Sequence, residues 1–284
     1  VTNRKINELS DSEQLMYCTI RIESEDILGN VSTGTGFYFQ FDINDKDIPV
    51  IITNKHVIKG GIYGNLVIKL RSSDSQYIID GQERFRIGKF EESWIMHPDP
   101  EVDLCCLLIG PIINEMKKQG KHLFYKTFYE DSIITKTERD DLTAIEDITM
   151  IGYPNGLWDE VNNHPIMRHG KTATHPAYNY NGKEEFLIDV ACYHGSSGSP
   201  VVLFNQGVYL NRKGEFIAGT RLKLLGVLYA GPQVINTGEI KIATIETRQE
   251  AISITRSMMN LGIIIKSEKV LDLKTLVDAF INKH

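Results

Sequence analysis

Short runs of aliphatic, aromatic and β-branched residues recur along the chain at 16–22, 36–41, 50–53, 66–70, 85–87 and 102–109. They resume at 148–152, 186–191, 201–204, 224–229 and 240–245, and Gly, Asn, Asp and Pro separate them. Many short strands divided by turn residues predict an all-β sandwich or barrel. Between the two groups lies a more charged stretch, 111–146, with helical spacing over 112–118, which reads as the connection between two β units. Near the end the period changes: Leu273, Leu276, Val277, Phe280 and Ile281 fall on one helical stripe, and Ser267 or Asp272 could cap it. A C-terminal helix packed on a barrel is expected rather than a partner-binding one, because a single short apolar stripe usually just packs. The expected division is 1–110, 111–146, 147–265 and 266–284.

Composition narrows the class. The chain has 284 residues, 42% hydrophobic and 24% charged, which is ordinary for a folded protein and rules out a disordered one. Thirty-one Lys and Arg against 37 Asp and Glu give a net charge of −6, without the basic excess that phosphates demand, so nucleic acid is not expected as a partner. The longest apolar runs, 104–109 and 261–265, are too short to span a bilayer, and the first ten residues lack a secretory signal. Four cysteines without a Cys-x-x-Cys pair suit reduced thiols in a cytoplasm, although a secreted chain already processed would read the same way. Cys105 and Cys106, neighbours on a strand, should point to opposite faces and pack as small core residues. His164, His169 and His175 stand in what reads as loop, with no register to converge three ligands, so no metal is expected.

The chemistry concentrates in His194-Gly195-Ser196-Ser197-Gly198-Ser199-Pro200, a small-residue turn entering an apolar strand. Its glycines allow close backbone approach. If Ser197 is a nucleophile, the amides of Gly195 and Ser197 can face one concavity and stabilise an oxyanion. An ordinary Gly/Ser loop is the plainer alternative. His56 follows the apolar run 50–53 and could be the base that a serine needs, or a structural histidine. Asp103 heads an apolar strand where a carboxylate requires a partner, either the base or a turn.

The order His56, Asp103, Ser197 and its three local contexts resemble the trypsin-like (chymotrypsin-fold) serine peptidases. Thr33-Gly34-Thr35-Gly36-Phe37 resembles the strand before the histidine, Ile52-Thr53-Asn54-Lys55-His56-Val57 the histidine box, and Asp103-Leu104-Cys105-Cys106-Leu107 the aspartate box. Gly195-Ser196-Ser197-Gly198-Ser199-Pro200 resembles the nucleophile box. The resemblance implies two packed six-stranded Greek-key β-barrels with a C-terminal α-helix, His56 and Asp103 on the first barrel and Ser197 on the second. Ser196 stands where the digestive branch has the aspartate that a freed N-terminus engages, and paired cysteines are missing, so the pattern is closer to the bacterial high-temperature-requirement and viral-type branches. About 20 residues remain after the barrel, so a PDZ domain is not expected to follow. By the same resemblance Ala191, with Cys192 beside it, floors the specificity pocket, and Leu228, Tyr229, Ala230 and Gly231 form the edge along which a substrate strand lies; His194, next to the turn, reads either as a pocket-rim residue or as an exposed loop histidine. None is charged as Lys or Arg binding requires, so a small or medium apolar side chain before the cut is expected.

The expected function is a serine endopeptidase acting through an acyl-enzyme, with no metal or organic cofactor and a peptide or protein substrate. A small peptidase inside a cell is expected to have a narrow substrate, a regulatory or sensing partner, or an oxyanion loop that is ordered only on activation. The alternatives are a catalytically silent binding module on the same fold, and an esterase or other acyl-transfer enzyme using the same triad.

Overall fold

The computed structural model describes residues 5–74, 76–240 and 251–283, with the backbone alone at 80, 81, 233–240 and 251–258. Nine strands form the N-terminal sheet: β1 (Thr19–Glu25), β2 (Val31–Ile43), β3 (Lys46–Thr53), β4 (Tyr63–Arg71), β5 (Ile78–Gly88), β6 (Ile95–Met96), β7 (Cys105–Leu108), β8 (His122–Phe124) and β9 (Phe128–Tyr129). Their order is β5-β4-β1-β2-β3-β7-β6, with β8 on β4 and β9 parallel to β2. Ten more strands follow: β10 (Asp147–Gly152), β11 (Ile166–Thr172), β12 (Glu185–Asp189), β13 (Pro200–Asn205), β14 (Val208–Leu210), β15 (Phe216–Ala218), β16 (Arg221–Ala230), β17 (Gln233–Ile240), β18 (Ala251–Met258) and β19 (Leu261–Lys266). Six of these close into a barrel, β10-β11-β12-β19-β16-β13, while β14–β15 and β17–β18 are separate hairpins.

The architecture is all-β, as expected, and ends in short C-terminal helices. A closed ring of six strands is found in the C-terminal unit; the N-terminal strands hydrogen-bond as a nine-stranded sheet among the described residues. The additions include β6, β8 and β9, two or three residues long and too short for any hydrophobic period to reveal. The 111–146 stretch supplies β8 and β9 to the N-terminal sheet, and its helix runs Gly110–Lys118 with a proline in the first turn, where the missing N–H costs nothing. From residue 241 onward the expected strand 240–245 lies outside the described residues.

Alternation on β2 and β3 explains how the halves meet. Phe37, Phe39, Val50, Ile52 and Cys106 face one core cluster, Tyr38, Ile51 and Cys105 the other, so both faces of this sheet region are buried. The first cluster continues into Val202, Leu224, Val227 and Ile265 of the barrel and into Val270, Leu273 and Val277 near the chain end. The C-terminal segment therefore bridges both units. It is two short helices, Glu268–Leu271 and Lys274–Ile281, and neither Ser267 nor Asp272 caps one through its side chain. The buried stripe is also narrower than its sequence suggests, since Phe280 and Ile281 are exposed. Among the described residues no helix is long and apolar enough to cross a membrane.

Candidate active site

Strand β3 ends at Thr53 and turns at Asn54 into a single helical turn, Lys55–Ile58. Val57 and Ile58 are buried and anchor that turn. Gly34 on β2 lets it sit close, for a Cβ there would come within 2.4 Å of a Val57 methyl. His56 is left on the open side. Asp103 precedes β7, which pairs with β3 through Thr53 and Cys105, so the strand pairing itself brings carboxylate and imidazole together. Asp103 uses both oxygens on one residue: Oδ2 is 2.5 Å from His56 Nδ1, and Oδ1 accepts the His56 backbone N–H at 3.1 Å. The Asn54 side-chain amide donates to the Asp103 carbonyl at 2.7 Å and steadies the loop. With Nδ1–H donating to the carboxylate, Nε2 of the neutral ring is the acceptor.

The turn that carries Ser197 links β12 to β13. Gly195 and Gly198 adopt φ of +79° and +86°. Neither tolerates a side chain: a Cβ on Gly195 would come 2.5 Å from the Tyr153 carbonyl oxygen, and one on Gly198 would lie 1.9 Å from that of Thr35. Thr35 of β2 clamps the turn from the other unit. Its N–H donates to the Ser197 carbonyl at 2.9 Å, and its hydroxyl donates to the Gly195 carbonyl at 2.9 Å while accepting the Tyr153 N–H at 3.1 Å. The Asn155 N–H donates to the His194 carbonyl at 2.5 Å. Because a trans peptide sets C=O and N–H on opposite sides, the Gly195 N–H faces away from Asn155. Among the described residues, neither this amide nor that of Ser197 donates to a protein acceptor.

His56 and Ser197 line one cleft of about 310 Å³, whose other walls are residues 192–194 and 228–231. A larger groove of about 760 Å³ beside Gly61, Tyr63 and Trp94 is lined by no serine, threonine, cysteine or histidine. A bulge between Leu228 and Ala230 leaves Tyr229 out of the β16–β19 ladder. Its carbonyl accepts Ser197 Oγ at 3.5 Å and its phenol donates to Glu185 at 3.0 Å. No hydrogen bond joins Ser197 to His56, an arrangement common before substrate tightens such a site. Burial pushes the Cys192 thiol up to about 11, so this wall of the cleft is neutral.

The family model for the trypsin-like peptidase domain matches residues 34–209, from the Gly34 strand past Ser197 and over half of the chain. The chain belongs to the trypsin-like peptidase family. As a trypsin-like serine peptidase it is a hydrolase. No curated protein matches this peptidase. Among solved structures, the peptidase is similar to Rv3671c from Mycobacterium tuberculosis in an inactive form, at 14% identity and a TM-score of 0.46 over 98% of this chain and 96% of that one. It is also similar to the serine endoprotease from Yersinia pestis, at 13% identity and TM-score 0.47 over 93% of this chain and 64% of that one. A third is catalytically inactive tobacco etch virus protease complexed with substrate, at 13% identity and TM-score 0.44 over 78% and 76%.

Of the residues singled out from sequence, His56, Cys192, His194, Ser197, Leu228, Tyr229, Ala230 and Gly231 share the cleft of the peptidase, with Asp103 behind His56. Ala191 does not line it; its carbonyl instead accepts from Arg168. The sequence reading missed Tyr193 on the cleft wall, Asn54, and the clamping role of Thr35, although Thr35 lay inside a recognised motif. It also missed β11, whose polar run Arg168-His169-Gly170-Lys171 carries no strand period, so His169 is on a strand and not in a loop. His169 meets Thr149, His164 meets Tyr17 and His175 packs on Tyr178.

Proposed function

We propose that this peptidase is an endopeptidase in which Ser197 is the nucleophile, His56 the general base and Asp103 its orienting carboxylate. The observation that carries the reading is the double hold of Asp103 on His56 beside a cleft that His56 shares with Ser197. Rotation of the Ser197 hydroxyl from the Tyr229 carbonyl toward Nε2 lets His56 take its proton as Oγ attacks the substrate carbonyl. The amides of Gly195 and Ser197, which lack protein acceptors among the described residues, would hold the resulting oxyanion. Collapse expels the amine, which takes the proton from His56, and leaves an acyl-enzyme that water hydrolyses by the same route in reverse. The Asn155 bond to the His194 carbonyl supports a turn that is competent without a trigger.

Cys192, Leu228, Ala230 and Gly231 give the cleft neutral, small or apolar walls, which supports a small or medium apolar side chain before the cut. The substrate backbone would lie along 228–231 as an added strand. The test pairs a fluorophosphonate probe, read by mass spectrometry, with turnover of a peptide library. A single adduct on Ser197 is expected, and Ser197→Ala should lower kcat by on the order of 10⁶-fold. Full activity of Ser197→Ala would overturn the mechanism; cleavage confined to simple esters would overturn the peptide substrate; cuts mainly after Lys, Arg or acidic residues would overturn the pocket assignment.

A further inference from the structure

We propose that Arg168 is a positioning residue, holding the nucleophile turn from behind so that the Gly195 and Ser197 amides keep their orientation toward the cleft. This rests on the reading of Ser197 as nucleophile. Arg168 sits on β11, opposite Met150 of β10 in the closed barrel, so its backbone is anchored in the sheet. From there the guanidinium reaches two points of the turn. One nitrogen donates to the Ala191 carbonyl at 2.5 Å and the other to Ser196 Oγ at 3.0 Å. Ser196 lies between the two amides in question, and its hydroxyl also accepts the Tyr193 N–H at 3.4 Å. A planar fork holding residues 191 and 196 together fixes the path between them better than a single point charge would.

The energetics favour a geometric role over a stabilising one. Arg168 is partly buried, and its nearby titratable groups are Cys192 and Tyr193, with no carboxylate among them. Among the described residues its Nε has no hydrogen-bond partner. Burial disfavours the charged form and draws its pKa down. A cation satisfied only by a carbonyl and a hydroxyl adds little to stability compared with an apolar side chain in its place. Ser196 is fully buried, and besides the Tyr193 N–H its hydroxyl accepts the guanidinium brought from β11.

The test measures the rate of phosphonylation of Ser197 by a fluorophosphonate, a reaction that uses the oxyanion amides, together with near-ultraviolet circular dichroism. Arg168→Ala should keep a native spectrum and react about 10²-fold more slowly, and added guanidinium below denaturing concentration should restore much of the rate. A rate within threefold of wild type, or a loss that guanidinium leaves unchanged in a folded variant, would overturn the proposal. If Arg168→Ala does not fold, Ser196→Ala carries the test: it removes the acceptor but neither amide, so a roughly tenfold slower reaction supports the tether and an unchanged rate overturns it. A wild-type protein that fails to react at Ser197 would instead overturn the nucleophile assignment itself.

Discussion

Beside its backbone bond to Ser197, Thr35 joins the two units through its hydroxyl, which donates to the Gly195 carbonyl and accepts the Tyr153 N–H with no exposure to solvent. Thr35→Val keeps the shape and removes the hydroxyl, leaving a carbonyl and an N–H unpaired in the interior at a cost of about 1–3 kcal/mol each. The expected outcome is a lower urea midpoint together with Ser197 phosphonylation slowed by roughly tenfold or more, because the Gly195 peptide loses its hold. Wild-type reactivity in a destabilised variant would show that Thr35 serves the fold alone. His56, Asp103 and Ser197 were legible because each sits in a local context of a strand end, an apolar strand head and a glycine turn. Thr35 was not, because the group it holds is 160 residues away. The same holds for Arg168: an Arg between Met167 and His169 carries no local sign that its guanidinium meets Ser196.

At the scale of elements, the C-terminal helices do more than close the chain. Val270, Leu273 and Val277 are fully buried in the cluster that also contains Phe37 and Phe39 of one unit and Val202 and Leu224 of the other. Leu273→Ala opens a cavity in a core shared by both halves and should cost about 2–5 kcal/mol. Because the cluster is continuous, urea unfolding of that variant should remain a single transition at lower midpoint; two separated transitions would show that the units fold independently. Long apolar runs such as β2, β3 and β16 were visible from sequence, since their residues are buried. Strands β6, β8 and β9 were not, because two or three residues define no period, and β11 was hidden by its polar composition. The helical stripe was read correctly in phase and too generously in width, for only the packed partner decides which of its residues are covered.

For the whole molecule, four cysteines are buried on both sides of the sheet and in the barrel, all as free thiols. Burial raises every one of them from an ordinary 9.0, Cys106 to about 12 and Cys192 to about 11. Buried Tyr38 and Tyr153 shift the same way, while Lys266 is drawn down and acts in opposition. Above pH 9 the unfolded chain releases thiol protons that the native protein keeps, so stability falls as pH rises. Urea unfolding should therefore give a plateau below about pH 9 and a decline between about 9 and 12; a flat profile to pH 11 would contradict the burial of these thiols. Sequence by itself determined the strand-rich class, the order of His56, Asp103 and Ser197 and the glycines beside Ser197, because period and turn chemistry are local properties. Tertiary structure alone decided which side the Gly195 amide faces, that a bulge sets the Tyr229 carbonyl against Ser197, and that Thr35 of one unit and Arg168 of the other both hydrogen-bond to the turn. Those outcomes depend on hydrogen bonds between residues far apart in the chain, whose partners are chosen only when the sheets close and pack.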